Sequence, residues 1–81
     1  MVLLVRVEPG VPPVIRQCWN PAVAWNVINR EIRDCADMLS LTEEEFEDFV
    51  TFEDSYALLE GFRVGQQIEW YIVDDDFEIV S

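Results

Sequence analysis

Carboxylates are almost the only side chains in this sequence that can act as acids or bases near neutral pH. The chain has 17 aspartates and glutamates and five arginines, with no lysine and no histidine. Cys18 and Cys35 therefore have no imidazole that could activate them as nucleophiles. Close carboxylate pairs arise by chance in so acidic a chain, and 81 residues leave little room for a cleft. We predict a protein that is not an enzyme.

A metal site is the weaker hypothesis for the acidic residues near the C-terminus. The run Asp74–Asp76, together with Glu78, carries the oxygen ligands that Ca²⁺ and Mg²⁺ prefer. The glycine and the distal glutamate of an EF-hand loop are absent, and consecutive residues of a hairpin point in different directions. Neither a cysteine–histidine zinc pattern nor a glycine-rich phosphate loop occurs. The sequence therefore predicts no metal and no cofactor.

The negative charge is confined to the second half of the chain. Residues 1–41 contain four acids and four arginines, whereas residues 42–81 contain thirteen acids and Arg63 alone, so the second half carries the whole net charge of −12. A charge that serves only solubility would be spread over the surface. The asymmetry predicts a face that binds a cationic partner, and a merely solvated face is the alternative. Direct binding to DNA or RNA is disfavoured, because affinity for phosphate depends on lysine and arginine.

The segment Thr42–Glu60 supplies most of the predicted contacts. On a helix, Glu43 and Glu47 stand about 5–6 Å apart at Cβ, as do Glu44 and Asp48, which gives rows of like charge. The carboxylates predicted to contact the partner are Glu43, Glu44, Glu47, Asp48, Glu53, Asp54, Asp74, Asp75 and Asp76. Phe52 or Tyr56 is expected to add an apolar anchor if the fold exposes it.

In size, charge and placement of acids over residues 42–81, the chain resembles the small acidic DNA-mimic inhibitors of phages and mobile elements. Those proteins block host DNA enzymes, nucleoid proteins or defence nucleases. The resemblance implies a protein that occupies the basic nucleic-acid-binding site of a host protein, and it implies no fold, because DNA mimics share none. The alternative is an antitoxin-like protein or a regulatory subunit that binds a basic protein partner without mimicking DNA. Homo-oligomerisation stays open.

Local patterns predict a single α+β domain spanning residues 1–81. Apolar alternation predicts a small antiparallel sheet of about four strands, at Val2–Glu8, Val14–Trp19, Gln67–Val73 and Phe77–Val80, with loops at the prolines 9–13 and at the three consecutive aspartates. Asn20 and Pro21 are typical of a helix start, and one long amphipathic helix is predicted over Pro21–Leu39. On that helix, Arg30–Asp34 and Arg33–Asp37 have the spacing of ion pairs.

An acidic helical segment is predicted over residues 42–60. Thr42 with Glu45 forms a capping box, and Gly61 has the position of a helix C-cap. The segment is predicted either to run unbroken or to break near Thr51, which would cap a second short helix.

The sequence also predicts a cytoplasmic protein, in the host cytoplasm if it is phage-encoded. The first residues lack the basic start and the long apolar run of a signal peptide, and no stretch approaches the ~20 apolar residues of a membrane span. With nothing else marking secretion, the two cysteines are expected to be reduced and mostly buried.

Charge repulsion within residues 42–81 predicts that stability depends on salt. Screening shortens the reach of the repulsion to about 10 Å at 0.1 M salt. We expect the Tm to rise when ionic strength is raised from about 0.01 M to about 0.15 M, measured by thermal unfolding. A flat or falling Tm over that range would contradict the prediction and would mean that the fold compensates its own acids.

Overall fold

The computed structural model describes residues 1–61 and 65–74. These residues form an α+β fold with one five-stranded antiparallel sheet and two helices, one long and one short. The strands are β1 (Val2–Glu8), β2 (Val11–Cys18), β3 (Val50–Glu53), β4 (Tyr56–Glu60) and β5 (Gln67–Asp74), and the helices are α1 (Pro21–Met38) and α2 (Glu43–Phe49). The order across the sheet is β2-β1-β5-β4-β3.

The first hairpin confirms the predicted antiparallel pairing of the first two strands. Val2 pairs with Cys18 and Arg6 with Val14, and a bulge follows Arg6. The prediction that Pro12 and Pro13 lie in a loop is wrong, because β2 already begins at Val11. β2 is an edge strand, and proline is tolerated there because an outward-facing position needs no backbone N–H.

Helix α1 forms as its sequence predicts. The Asn20 side chain accepts a hydrogen bond from the Val23 amide at 2.9 Å, which caps the N-terminus. The helix is amphipathic as predicted, with four buried residues on its inner side, namely Ala24, Ile28, Ile32 and Ala36. The helix ends in a Schellman arrangement in which Ser40, at φ 56°, takes the left-handed position usually held by glycine. The predicted pairs of Arg30 and Arg33 with aspartates of the same helix do not form among the described residues.

The prediction of a helical segment over residues 42–60 is correct only as far as Phe49. The capping box of Thr42 and Glu45 is present, but α2 has only seven residues and is followed directly by the β3–β4 hairpin. Neither an unbroken helix nor a second helix capped by Thr51 exists. Val50, Thr51 and Phe52 are β-branched or aromatic, and such residues favour a strand.

Gly61 is correspondingly not a helix cap. It follows β4 with φ 90°, and a Cβ added there would stand 3.1 Å from the Phe49 ring. Glycine is therefore required both by the backbone conformation and by the close approach of the α2 side chain.

Strand β5 lies in the middle of the sheet. It pairs with β1 from Val2 to Val7 and with β4 from Tyr56 to Glu60, so both of its edges are occupied. Asp74, predicted in a turn, is the last residue of β5, and Phe77–Val80 lies outside the described residues.

Both helices pack on one face of the sheet. The core between them and the sheet contains Val2, Leu4, Cys18, Ala57, Leu59 and Trp70. Phe46 and Phe49 of α2 pack against the same cluster. The alternation predicted for β5 is confirmed, since Trp70 is fully buried while Tyr71 and Val73 point to the other face. Among the described residues, no helix covers that other face.

A half-buried carboxylate ties α1 to the two central strands. Glu31 Oε1 accepts hydrogen bonds from Arg6 Nη1 at 2.9 Å and from Trp70 Nε1 at 3.2 Å. The Arg6 guanidinium also pairs with Glu8 and lies 5.4 Å from the centre of the Trp70 ring. Burial lowers the pKa of Arg6, but the hydrogen bonds to Glu31 and Glu8 outweigh it and the net shift is upward. The arginine therefore stays charged and held in place.

Glu31→Ala should destabilise the fold by about 2–3 kcal/mol, because it leaves a half-buried guanidinium and an indole N–H without their acceptor. Chemical denaturation measures this, and Glu31→Gln should recover part of the loss by restoring an acceptor. The control is Glu43→Ala, which removes the exposed Arg33–Glu43 pair and should cost less than ~1 kcal/mol. Equal costs for the two alanine variants would contradict a special role for Glu31.

Candidate partner-binding surface

Helix α2 presents the densest group of predicted contact residues. Its capping box fixes the first turn, where the helix dipole favours Glu43, Glu44 and Glu45. Phe46 and Phe49 point toward the core, so the remaining positions face solvent. Four of the predicted carboxylates are exposed on this helix: Glu43, Glu44, Glu47 and Asp48. Over seven residues, the helix holds them within roughly 10 Å of axis.

An arginine from α1 reaches this helix, which the sequence did not indicate. Arg33 Nη1 donates to Glu43 Oε1 at 3.1 Å, and its guanidinium lies 4.1 Å from the centre of the Phe46 ring. Glu43 is thus partly compensated, whereas Glu44, Glu47 and Asp48 have no ion pair within the described residues. Together with Glu45 of the capping box, those three carry the uncompensated charge of α2.

The other predicted carboxylates do not join the α2 group. Val50 follows α2 directly, and Glu53 stands three residues further along β3, roughly 10 Å away. Asp54 and Ser55 form the two-residue turn that joins β3 to β4. Asp74 is the last residue of β5 and pairs with Val2. It lies near the same end of the sheet as Asp54, because the Ile72 amide donates a hydrogen bond to the Ser55 carbonyl. Asp75 and Asp76 lie outside the described residues, as does Glu78 of the metal hypothesis.

The predicted apolar anchors separate as well. Phe52 is 48% exposed on the helix side of the sheet, where its ring meets Trp25 edge-on with centroids 6.0 Å apart. Tyr56 is half-buried on the opposite face, and its ring lies 5.0 Å from Tyr71. Of the two, only Tyr56 shares a sheet face with Glu53.

Two carboxylates that the sequence analysis missed stand on the sheet face without helices. Glu60 is exposed, and Glu69 accepts a hydrogen bond from the Tyr56 hydroxyl at 2.9 Å. The alternation of Gln67–Val73 already put Glu69 on the same face as Tyr71. Glu60 falls within the helical segment predicted over residues 42–60, and that prediction does not place it on a sheet face.

The tyrosines on this face are held in their neutral form. Burial, the hydrogen bond to Glu69 and the charge of that carboxylate raise the pKa of Tyr56 above its ordinary value. The pKa of Tyr71 is raised by the same kinds of effect. A neutral hydroxyl can donate to a carboxylate, whereas a phenolate beside Glu69 would be repelled.

The geometry around the cysteines does not favour nucleophilic chemistry. Both thiols are free, and Cys18 is buried. Arg6 Nη2 lies 3.6 Å from Cys35 Sγ, but burial outweighs this cation and raises the pKa of Cys35. A protonated, half-buried thiol is a poor nucleophile.

A cavity of about 150 Å³ is lined by Arg6 and Arg16 and by Glu8 and Glu31, among other residues. The two positive and two negative side chains balance, so the cavity has no net charge.

Comparison with protein-family models, with curated proteins and with solved structures finds no match to this chain. Neither described helix combines the length and the apolar character needed to cross a membrane.

The raised pKa of Tyr56 predicts a loss of stability at alkaline pH. A folded-state pKa above the unfolded value gives stability that is fully present below about pH 10, and that is lost as the pH rises toward the folded-state pKa. We expect the free energy of unfolding to fall above about pH 10, and to fall less steeply in Tyr56→Phe. Denaturation of both proteins between about pH 8 and 11 measures this. Parallel curves for the two proteins would contradict the prediction.

Proposed function

We propose that this chain is a non-enzymatic binding protein that occupies the basic nucleic-acid-binding site of another protein by presenting carboxylates in place of phosphates. The observation that carries the proposal is the group Glu44, Glu47 and Asp48, exposed on α2 without a described ion pair. Like charges at helical spacing cost stability, and Glu47 and Asp48 lie beyond the first turn where the helix dipole favours acids, so their presence needs a reason other than folding. A cationic partner supplies that reason.

The separation of charge between the two halves of the chain supports the proposal. The four arginines of residues 1–41 include Arg6, which is held by Glu31 and Glu8, and Arg33, which is held by Glu43. They therefore neutralise little of the acidic surface. A field of one sign steers a cationic partner toward the chain at long range and accelerates association.

Phage or mobile-element origin, action in a host cytoplasm and a DNA-processing or defence protein as target are the finer parts of the proposal. They rest on the resemblance to DNA mimics. The alternative is an antitoxin-like or regulatory protein that binds a basic partner elsewhere than at its nucleic-acid site. The two differ in one observable: a mimic and DNA exclude each other on the target.

The experiment begins with capture of targets from a bacterial lysate at low salt and identification of the retained proteins. The purified target is then bound to the chain with and without excess duplex DNA. Displacement by DNA, with steep weakening as salt rises, is the expected result. Binding that persists under saturating DNA would overturn the mimic and favour the alternative.

Charge reversal on α2 should weaken this complex. We expect Glu47→Lys/Asp48→Lys to reduce the association rate about tenfold or more at low salt, and less at high salt, because distributed charge acts on encounter. The matched control is Asp34→Lys/Asp37→Lys, which changes the net charge equally on exposed positions of α1. Stopped-flow or surface-based kinetics at two salt concentrations measures both variants.

If the two double variants reduce the association rate by the same factor, only total charge matters and α2 is not the contact surface. If Arg30→Glu abolishes binding while the α2 variant binds as wild type, the first half of the chain carries the contact, and the acids are a solvated coat.

A further inference from the structure

The face of the sheet opposite the helices is continuous and apolar over its centre. Cross-strand pairing aligns one row across all five strands: Ile15, Val5, Tyr71, Tyr56 and Glu53. Leu3 and Val73 pair in the neighbouring row on one side, and Val7, Glu69 and Leu58 in the row on the other. Ile15 is 65% exposed and Val73 is 40% exposed. Half-buried Leu3 and Val5 of β1 lie between these exposed side chains and complete an apolar patch, and such patches mark interaction sites.

The charge on this face has one sign and one location. Glu53, Glu60 and Glu69 lie on β3, β4 and β5, whereas β1 and β2 contribute apolar residues and Gln17. Arg6 and Arg16 are on the helix side, so the described part of this face has no cation. The face therefore changes from apolar at the β2 edge to acidic at the β3 edge.

We infer that this face, which we call the open face, is the docking surface for a protein surface with an apolar patch bordered on one side by lysine or arginine. The inference rests on the proposed function and deepens it, since it adds to the α2 carboxylates an apolar surface that holds the same basic partner. The Tyr56 and Tyr71 rings provide the rigid aromatic contacts that interfaces favour near their centre. The Glu69 carboxylate, already held by Tyr56, is positioned to receive a cation beside them.

A second copy of this chain fits the open face less well. Two copies face to face would bring together at least six carboxylates and no described cation, and each chain has a net charge of −12. Five strands ~4.8 Å apart and about seven residues long give a flat area on the order of 450 Å². Obligate homodimers bury about 1,000 Å² or more per chain. Area and charge together favour a smaller, basic partner surface.

The test uses a defined probe. A 14-residue helical peptide carries leucines on one face and lysines along one flank, and a matched peptide carries glutamates in place of the lysines. Binding of each to the ¹⁵N-labelled full chain is followed by amide chemical shifts. We expect the lysine peptide to shift amides of the open-face residues, including Val5, Ile15 and Tyr71, and the glutamate peptide to bind at least tenfold more weakly.

Two matched pairs of variants locate the contact. Ile15→Ser, on the open face, should weaken the lysine peptide about tenfold, while Val14→Ser, 50% exposed on the helix side of the same strand, should leave it unchanged. Glu60→Lys should weaken it more than Glu47→Lys on α2. All four positions are exposed, so none of the variants should have a Tm below that of the wild type, which is checked first.

Several outcomes would overturn the inference. Shifts confined to α2 or to the helix side, equal affinity for the two peptides, or no binding at all would each do so. Open-face shifts that depend on protein concentration without peptide would assign the face to a second copy. If Phe77→Ser shifts the open-face amides when no peptide is present, the face would be assigned to residues 75–81 of this chain. Competition with DNA tests the proposed function, and the peptide titration tests the open face. Each experiment can fail while the other succeeds, so the two failures are distinguishable.

Discussion

The fold depends on one carboxylate shared between a helix and the middle of a sheet. Glu31 receives hydrogen bonds from Arg6 on β1 and Trp70 on β5, two strands that pair with each other but lie over sixty residues apart in the chain. A charge withdrawn from water costs several kcal/mol unless it is paired and hydrogen-bonded. Here the guanidinium of Arg6 and the indole N–H of Trp70 both donate to that carboxylate. The arrangement fixes the position of α1 against the sheet, and an apolar contact alone would leave it free to slide.

The parts of the fold that the sequence predicts are those in which local signals agree. Asn20 and the amphipathic pattern both indicate α1, β-branched residues indicate β1, and alternation indicates β5. The sequence does not predict the β3–β4 hairpin, because its apolar residues fit two patterns. The spacing of Phe46, Phe49, Val50 and Phe52 suits one continuous helix as well as a helix followed by a strand that begins at Val50. Which of the two structures forms depends on pairing with β5. Ala57 and Leu59 of β4 are fully buried beside Trp70 and Ile68 of that strand. A pairing between strands separated along the chain leaves no mark in the local period.

The candidate site was predicted in composition and only partly in arrangement. The acids of α2 stand together as expected, because a capped helix turn keeps neighbours in sequence close in space. Glu53 and Asp54 are neighbours of α2 in sequence, but the change from helix to strand moves them toward the far end of β3. The Arg33 side chain of α1 reaches Glu43 of α2 because both helices lie on one face of the sheet, which no spacing rule reveals. Glu60 and Glu69 come onto one face because β4 pairs with β5.

The acidic helix and the open face answer different physical requirements of binding. Exposed ion pairs contribute little to the lifetime of a complex, since water and salt screen them, but a field of one sign accelerates encounter. Long residence needs apolar contact from which water is excluded, and the open face offers exposed Ile15, Tyr71 and Val73 for such contact. In the proposed complex, α2 therefore governs how fast the partner arrives, and the row from Ile15 to Tyr56 governs how long it stays. The carboxylates of β3, β4 and β5 join the two by admitting only a partner whose apolar patch is bordered by positive charge.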